Sequence, residues 1–163
     1  MKICEAVKDE FIISTDKSKL DIQFIQNYLG NESYWAKNIP VETVQKSIDG
    51  SCCFGLYINE NDLQATQKFA ATKQIGFARV VTDHATFAYL ADVFITEKYR
   101  GKGLAKWLME IIMQHPGLQG LRRWMLATKD AHGLYAQFGF LPLDRPERIM
   151  GFKPFEEYPK TNS

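Results

Sequence analysis

The sequence predicts a single α/β domain over residues 1–163, a mixed and mostly antiparallel sheet flanked by about four helices. Three observations predict it. Short apolar runs alternate along the chain with segments of helical periodicity. Three strand-like runs follow one another in mid-chain across polar turns, as in an antiparallel meander. A Gly-rich turn, Arg100-Gly101-Lys102-Gly103, then joins the apolar run 90–95 to an amphipathic stretch.

Residues 11–15 read as the first strand. Ser18-Lys19-Leu20-Asp21 resembles a capping box, so a helix is expected over 20–29, ended by Gly30 and Asn31. Pro40 suits the first turn of a second helix with Val41, Val44 and Ile48 on one face, stopped by Asp49-Gly50. Residues 51–58 form a strand and 59–62 a turn. Strands over 74–81 and 86–95 flank a turn at Asp83-His84. Leu104, Trp107, Leu108, Ile111 and Ile112 recur at helical spacing, which predicts a helix over 103–115, ended by Pro116-Gly117. A strand over 123–128, a short helix over 131–138 capped by Gly139, and closing strands over 140–143 and 149–152 complete the order.

The chain is long enough for one domain with a real core. Its 20 basic and 19 acidic residues leave a net charge of +1, so nothing in its charge points to nucleic acid. Its apolar runs are too short and interrupted to span a bilayer. Met1-Lys2-Ile3-Cys4-Glu5 lacks the apolar core of a signal peptide. Three cysteines, two of them adjacent, make neither a zinc spacing nor a disulfide framework. Cys52 and Cys53 read as structural thiols of which at most one faces the core. The expectation is a cytoplasmic protein without a metal.

The turn at 100–105 is the most telling feature. A helix N-terminus carries free N–H groups and partial positive charge, which suits an anion. Glycine lets the backbone approach closely and adopt positive φ. Arg100, Gly101, Lys102, Gly103, Leu104 and Ala105 therefore form a candidate pyrophosphate cradle. Neither a P-loop nor a G-x-G-x-x-G pattern fits, because Lys106 stands where the third glycine would be.

Arg-x-x-Gly-x-Ala after a strand, preceded by Val93-Phe94-Ile95-Thr96-Glu97-Lys98-Tyr99, resembles the acetyl-CoA motif of the GNAT family of N-acetyltransferases. A second segment, Ala131 followed by Leu134-Tyr135-Ala136-Gln137-Phe138-Gly139-Phe140, resembles the helix that follows the fifth strand of that family. Element order matches over nearly the whole chain. The resemblance implies acetyl-CoA as co-substrate, with its pyrophosphate on the amides of 100–105 and its thioester against Val93, Phe94 and Ile95. Thr128 occupies a slot where many members carry Asn, beside the pantetheine arm. It also implies an acyltransferase in which Tyr135 protonates the departing thiolate.

The chemistry of these side chains can be stated independently. A phenol near 10 stays protonated at neutral pH and can donate to a thiolate near 8.5, a mismatch of about 2 kcal/mol. An alkyl ammonium near 10.4 leaves about one molecule in 2,500 as free amine at pH 7, roughly 4.6 kcal/mol of barrier. A base recovers part of that. Asp92, on the strand leading to the Gly-rich turn, is either that base or a carboxylate that orients a loop or substrate. Asp83 and His84 are further candidates near the acceptor, or simply turn residues. His115 and His132 read as helix-end residues. Tyr34 and Trp35, between the first two helices, either line an acceptor site or pin a loop to the core, and Phe87 and Tyr89 raise the same alternatives.

The expected reaction is direct transfer of an acetyl group from acetyl-CoA to a primary amine, with no covalent enzyme intermediate. A small-molecule acceptor is favoured. A protein or peptide acceptor, or a non-catalytic acyl-CoA sensor, are the alternatives. Exposed strand edges near the C-terminus suit a homodimer.

Overall fold

A computed structural model describes residues 3–59 and 72–159 of the chain. Its six strands are β1 (Glu5–Lys8), β2 (Phe11–Ser14), β3 (Cys52–Asn59), β4 (Thr72–Thr82), β5 (Phe87–Ile95) and β6 (Arg123–Leu126). They lie in one sheet in chain order, β1 to β5 antiparallel and β6 parallel to β5. Four helices cover it: α1 (Ile22–Asn27), α2 (Val41–Asp49), α3 (Leu104–Gln114) and α4 (His132–Ala136). The parallel β5–β6 pair requires a crossover, and α3 supplies it.

Both faces of the sheet are covered. On one, Ile13, Phe54 and Leu56 pack with Leu108, Met109 and Ile112 of α3. On the other, Phe77 and Phe94 pack with Ile25, Leu29, Val44 and Ile48 around α1 and α2. This corrects the expectation for the adjacent cysteines. Strand alternation sends Cys52 to the α3 layer and Cys53 to the α1–α2 layer, so both are buried. Burial pushes their thiols up to about 11 and about 12, which keeps them protonated.

Other differences have local causes. Asp21, not Ser18, caps α1, accepting from Phe24 N–H at 2.9 Å. The helix then widens into a π turn over Tyr28–Glu32, at the glycine expected to end it. Strand β1 was not expected. Its EAVK pattern is largely exposed, so little apolar periodicity marks it. The expected closing strands over 140–143 and 149–152 do not form. That stretch holds only a one-turn 3-10 helix, Pro146–Arg148. Residues 60–62 of the expected turn lie outside the described residues. No helix among the described residues is long and apolar enough to cross a membrane.

Candidate active site

The site begins where β5 and β6 part. Their last paired residues are Leu90 and Leu126, but β5 continues to Ile95 while β6 gives way to a loop. A cleft of about 620 Å³ opens there, walled by β5, the loop after β6, Tyr135 of α4 and the α1–α2 connection. Val93 lines it from β5. Past Leu90, β5 keeps β4 on one edge only, so its other edge faces the gap.

A bulge shapes this stretch. Phe77 pairs with Phe94 but Arg79 pairs with Ala91, which inserts one extra residue into β5. Asp92 absorbs the insertion with φ of 53°, a left-handed conformation that aspartate tolerates better than most side chains. Its carboxylate is then held on two sides. Oδ2 accepts from Arg79 Nε at 2.7 Å, and Oδ1 accepts from Trp35 Nε1 at 3.1 Å. Arg79 also donates through Nη1 to Ser51 Oγ at 3.1 Å. The ion pair is only 18% and 12% exposed, so each charge depends on the other for compensation. Sequence reasoning missed Arg79. The available signal was a lone charge inside the apolar run Ile75-Gly76-Phe77-Ala78-Arg79-Val80-Val81.

Tyr135 of α4 lines the same cleft. Its ring meets Phe140 edge-on at 6.1 Å, and burial pushes its hydroxyl up to about 12. No described residue hydrogen-bonds to that hydroxyl. Thr128 Oγ1 accepts from Ala131 N–H at 3.0 Å at the start of α4, so the threonine shapes the turn that carries Tyr135. Thr128 also lines the cleft.

The α1–α2 connection closes the third side. Tyr34 and Trp35 meet edge-on at 4.9 Å and reach different walls. Tyr34 Oη accepts from Lys129 N–H at 3.0 Å, beyond β6, while Trp35 reaches Asp92 on β5. The pair therefore spans the gap between the diverging strands. Tyr158 also lines the cleft, brought back by its N–H donating to Lys37 O at 3.2 Å. Tyr89 lines it too, whereas Phe87 does not.

The Gly-rich turn lies beyond the end of β5. Gly101 and Gly103 have φ of 76° and 74°, the conformation for which glycine was expected. Among the described residues, no protein oxygen accepts from the backbone N–H groups of residues 101–106. This donor set fits a pyrophosphate. Arg100 differs from expectation. Its N–H donates to Glu97 O, its Nε to Ile95 O at 3.0 Å and its Nη2 to Tyr28 Oη at 3.0 Å. It braces the end of β5 from behind. The Lys102 ammonium lies 5.8 Å from the Phe11 ring and 5.9 Å from that of Tyr99.

Asp83 and His84 are not brought to the cleft. Asp83 accepts from Thr86 Oγ1 and from the N–H groups of Ala85, Thr86 and Phe87. These bonds, that of the Thr86 hydroxyl foremost, hold its carboxyl well below the usual carboxylate range. His84 Nδ1 lies 3.0 Å from Gly117 O, at the far end of α3. Both are turn residues.

With this geometry in place, comparisons with known proteins agree on one family. The sequence model of the acetyltransferase (GNAT) domain matches residues 53–142. A Gibberella zeae protein assigned as an acetyltransferase is 31% identical over 140 residues, covering 80% of this chain and 78% of its own. The crystal structure of a Xanthomonas campestris protein assigned to the GNAT family is 46% identical, covers 90% of this chain and 95% of its own, and superposes with a TM-score of 0.80. A GNAT acetyltransferase from Elizabethkingia anophelis, solved with acetyl-CoA bound, shares the fold at 14% identity and a TM-score of 0.58, over 84% of this chain and 80% of its own. The chain belongs to the GNAT acetyltransferase family and is an acyltransferase.

Proposed function

We propose that this enzyme transfers the acetyl group of acetyl-CoA to a primary amine of a small molecule by direct attack. The observation that carries this reading is that Asp92 and Tyr135 line one cleft, with the unpaired edge of β5 in the same cleft. Acetyl-CoA supplies the activated acetyl group. The N–H groups of 101–105 hold its pyrophosphate, and the free edge of β5 at Val93 orients its carbonyl and stabilises charge there. Gly101, Lys102, Gly103, Leu104 and Ala105 act through backbone, while Arg100 fixes the loop.

Asp92 receives the incoming amine. Each carboxylate oxygen retains a second acceptor site beyond its bond to Arg79 or Trp35. The proton lost by the amine goes to Asp92 directly or through one water. Tyr135 faces the leaving sulfur. At about 12 its hydroxyl is a weaker acid than the sequence alone suggests, and complete transfer to a thiolate near 8.5 is uphill by about 5 kcal/mol. Tyr135 therefore stabilises the thiolate by hydrogen bonding before solvent protonates it.

The bonds of Tyr34 to Lys129 N–H and of Trp35 to Asp92 narrow the cleft between the diverging strands, which supports a small acceptor over a protein segment. The test is thiol release from acetyl-CoA against a panel of small amines and peptides, with Tyr135→Phe alongside. Small-amine-dependent release that falls about tenfold to hundredfold in the variant, at unchanged acetyl-CoA affinity, is the expected result. Release with peptides alone overturns the acceptor class. Acetyl-CoA binding without release for any amine, unchanged in the variant, overturns catalysis.

A further inference from the structure

One wall of the cleft comes from the far end of the chain. Pro154 and Pro159 flank Phe155-Glu156-Glu157-Tyr158, and each proline fixes its own φ, which stiffens a segment that has no helix or strand. Two bonds bracket the Tyr158 backbone. Its N–H donates to Lys37 O at 3.2 Å, and its carbonyl accepts from Asn38 Nδ2 at 3.4 Å. Glu157 pairs with the Lys37 ammonium at 3.4 Å, and the Phe155 ring lies 5.2 Å from that of Tyr158. Tyr158 packs against the cluster that includes Ile25, Ala36 and Ile39. The segment is therefore tied to the same α1–α2 connection that carries Tyr34 and Trp35.

These walls offer apolar surface. Tyr34, Trp35, Tyr89 and Tyr158 all line the cleft. The polar ends of the first two are already engaged, Tyr34 Oη by Lys129 N–H and Trp35 Nε1 by Asp92. Their side chains nevertheless remain 52% and 41% exposed. Protein partners satisfy the hydrogen-bonding ends and leave ring surface to water, an arrangement that favours an apolar occupant. Charge points the same way. Among the described residues that line the cleft, the charged ones are Arg79, Asp92, Lys129 and Asp130, two of each sign. Arg79 and Asp92 compensate each other, and the Lys129 ammonium lies 5.6 Å from the Tyr34 ring. No excess of either sign remains for a second charge on the acceptor, which would lose hydration there without a free counter-charge.

We infer that Tyr158 is a specificity-determining residue. With Tyr34 and Trp35 it forms an aromatic subsite for an acceptor whose primary amine is carried on a flat apolar body without a second charge. This rests on the transfer to a small amine proposed above: the amine meets Asp92 and the body lies against the rings. Because Tyr158 stands on a segment outside the sheet, removing its ring changes the choice of acceptor without altering Asp92, Tyr135 or the amides of 101–105.

Thiol release from acetyl-CoA with phenethylamine, ethylamine, putrescine and β-alanine tests it. Wild-type kcat/KM should be at least about tenfold higher for phenethylamine than for the other three. Tyr158→Ala should lower the ratio of phenethylamine to ethylamine at least about tenfold, mainly through KM, and leave the KM for acetyl-CoA within about twofold. Tyr158→Phe keeps the ring and should keep that ratio within about threefold. A wild type that prefers the diamine or the amino acid overturns the inference, as does a loss in Tyr158→Ala that is equal for all four amines. Calorimetric titration of phenethylamine into the protein saturated with CoA reads the subsite without chemistry. Binding that weakens in Tyr158→Ala but not in Tyr158→Phe, with no thiol release from any amine, overturns the reaction and upholds the subsite. Equal binding by wild type and both variants overturns the subsite even where thiol is released.

Discussion

The indole N–H of Trp35 donates to Oδ1 of Asp92 at 3.1 Å, joining the α1–α2 connection to the bulge of β5. Because Arg79 occupies the other oxygen, Trp35 sets how the carboxylate turns about its remaining freedom. Trp35→Phe keeps an aromatic ring over the cleft and removes only the donor. A hydrogen bond to a charged group contributes about 1.5–3 kcal/mol. We expect kcat/KM for the amine to fall about tenfold or more and the KM for acetyl-CoA to stay within about twofold. Equal losses for both substrates would show that Trp35 supports the whole cleft.

Arg79 makes a different prediction, about stability. Arg79→Met leaves the mostly buried Asp92 carboxylate without its counter-charge. Removing one partner of a buried pair typically costs about 3–5 kcal/mol, and the residual exposure of this one places it nearer 2–3. Adding Asp92→Asn removes the orphaned charge and should recover at least about 1 kcal/mol, without recovering activity. Urea unfolding of the three variants and the wild type gives the cycle. Additive losses would mean the two residues are not energetically coupled.

The main elements and the Gly-rich turn were legible because each carries a local signal. The helical spacing of Leu104, Trp107, Leu108 and Ile112 is a one-dimensional pattern, and so is the turn chemistry of Gly101 and Gly103. What was not legible depends on partners distant in the chain. Arg79 and Asp92 are 13 residues apart, Trp35 and Asp92 are 57, and Tyr34 and Lys129 are 95. No periodicity encodes such meetings. The bonds of Arg100 to Ile95 O and Tyr28 Oη were not legible for a related reason: only the fold brings those partners to it. The segments at 140–143 and 149–152 have strand-like composition, but strands also need pairing partners, which a single folded chain does not provide there.

Gly76 is required by close approach and Gly101 by backbone angle, so alanine should act differently at the two. A Cβ at Gly76 would lie 2.8 Å from both Phe94 O and Ile95 Cδ1, pressing on the end of β5 just past the residues that line the cleft. Gly76→Ala should destabilise the fold by about 1–3 kcal/mol and weaken acetyl-CoA binding as β5 shifts. A Cβ at Gly101 meets nothing within 4 Å, and the only penalty is a φ of 76°. Gly101→Ala should cost about 1 kcal/mol, and Gly101→Asn less, since asparagine tolerates this conformation. Denaturant midpoints and acetyl-CoA titrations of the three variants separate the causes. A Gly76→Ala protein with wild-type affinity would show that β5 absorbs the methyl group without moving.

His115 gives the fold a pH dependence whose sign is fixed by its surroundings. It is buried against the Phe54 ring, which it meets edge-on at 5.5 Å, and its Nδ1 accepts from Gly117 N–H at 3.2 Å. Its Nε2 has no hydrogen-bond partner among the described residues. Burial, reinforced by the neighbouring His84, holds its pKa below the ordinary histidine value. The unfolded chain, near 6.5, therefore binds a proton at pH values where the folded chain does not. The stability that neutral His115 contributes is fully present above about pH 6.5 and is lost progressively as pH falls from there toward the lowered folded value. Protonation also removes the acceptor for Gly117 N–H. His115→Asn keeps an acceptor near the Nδ1 position and cannot titrate. Urea midpoints between pH 7.5 and 5 should fall for the wild type and fall less steeply for His115→Asn. Parallel slopes would assign the acid sensitivity to other groups.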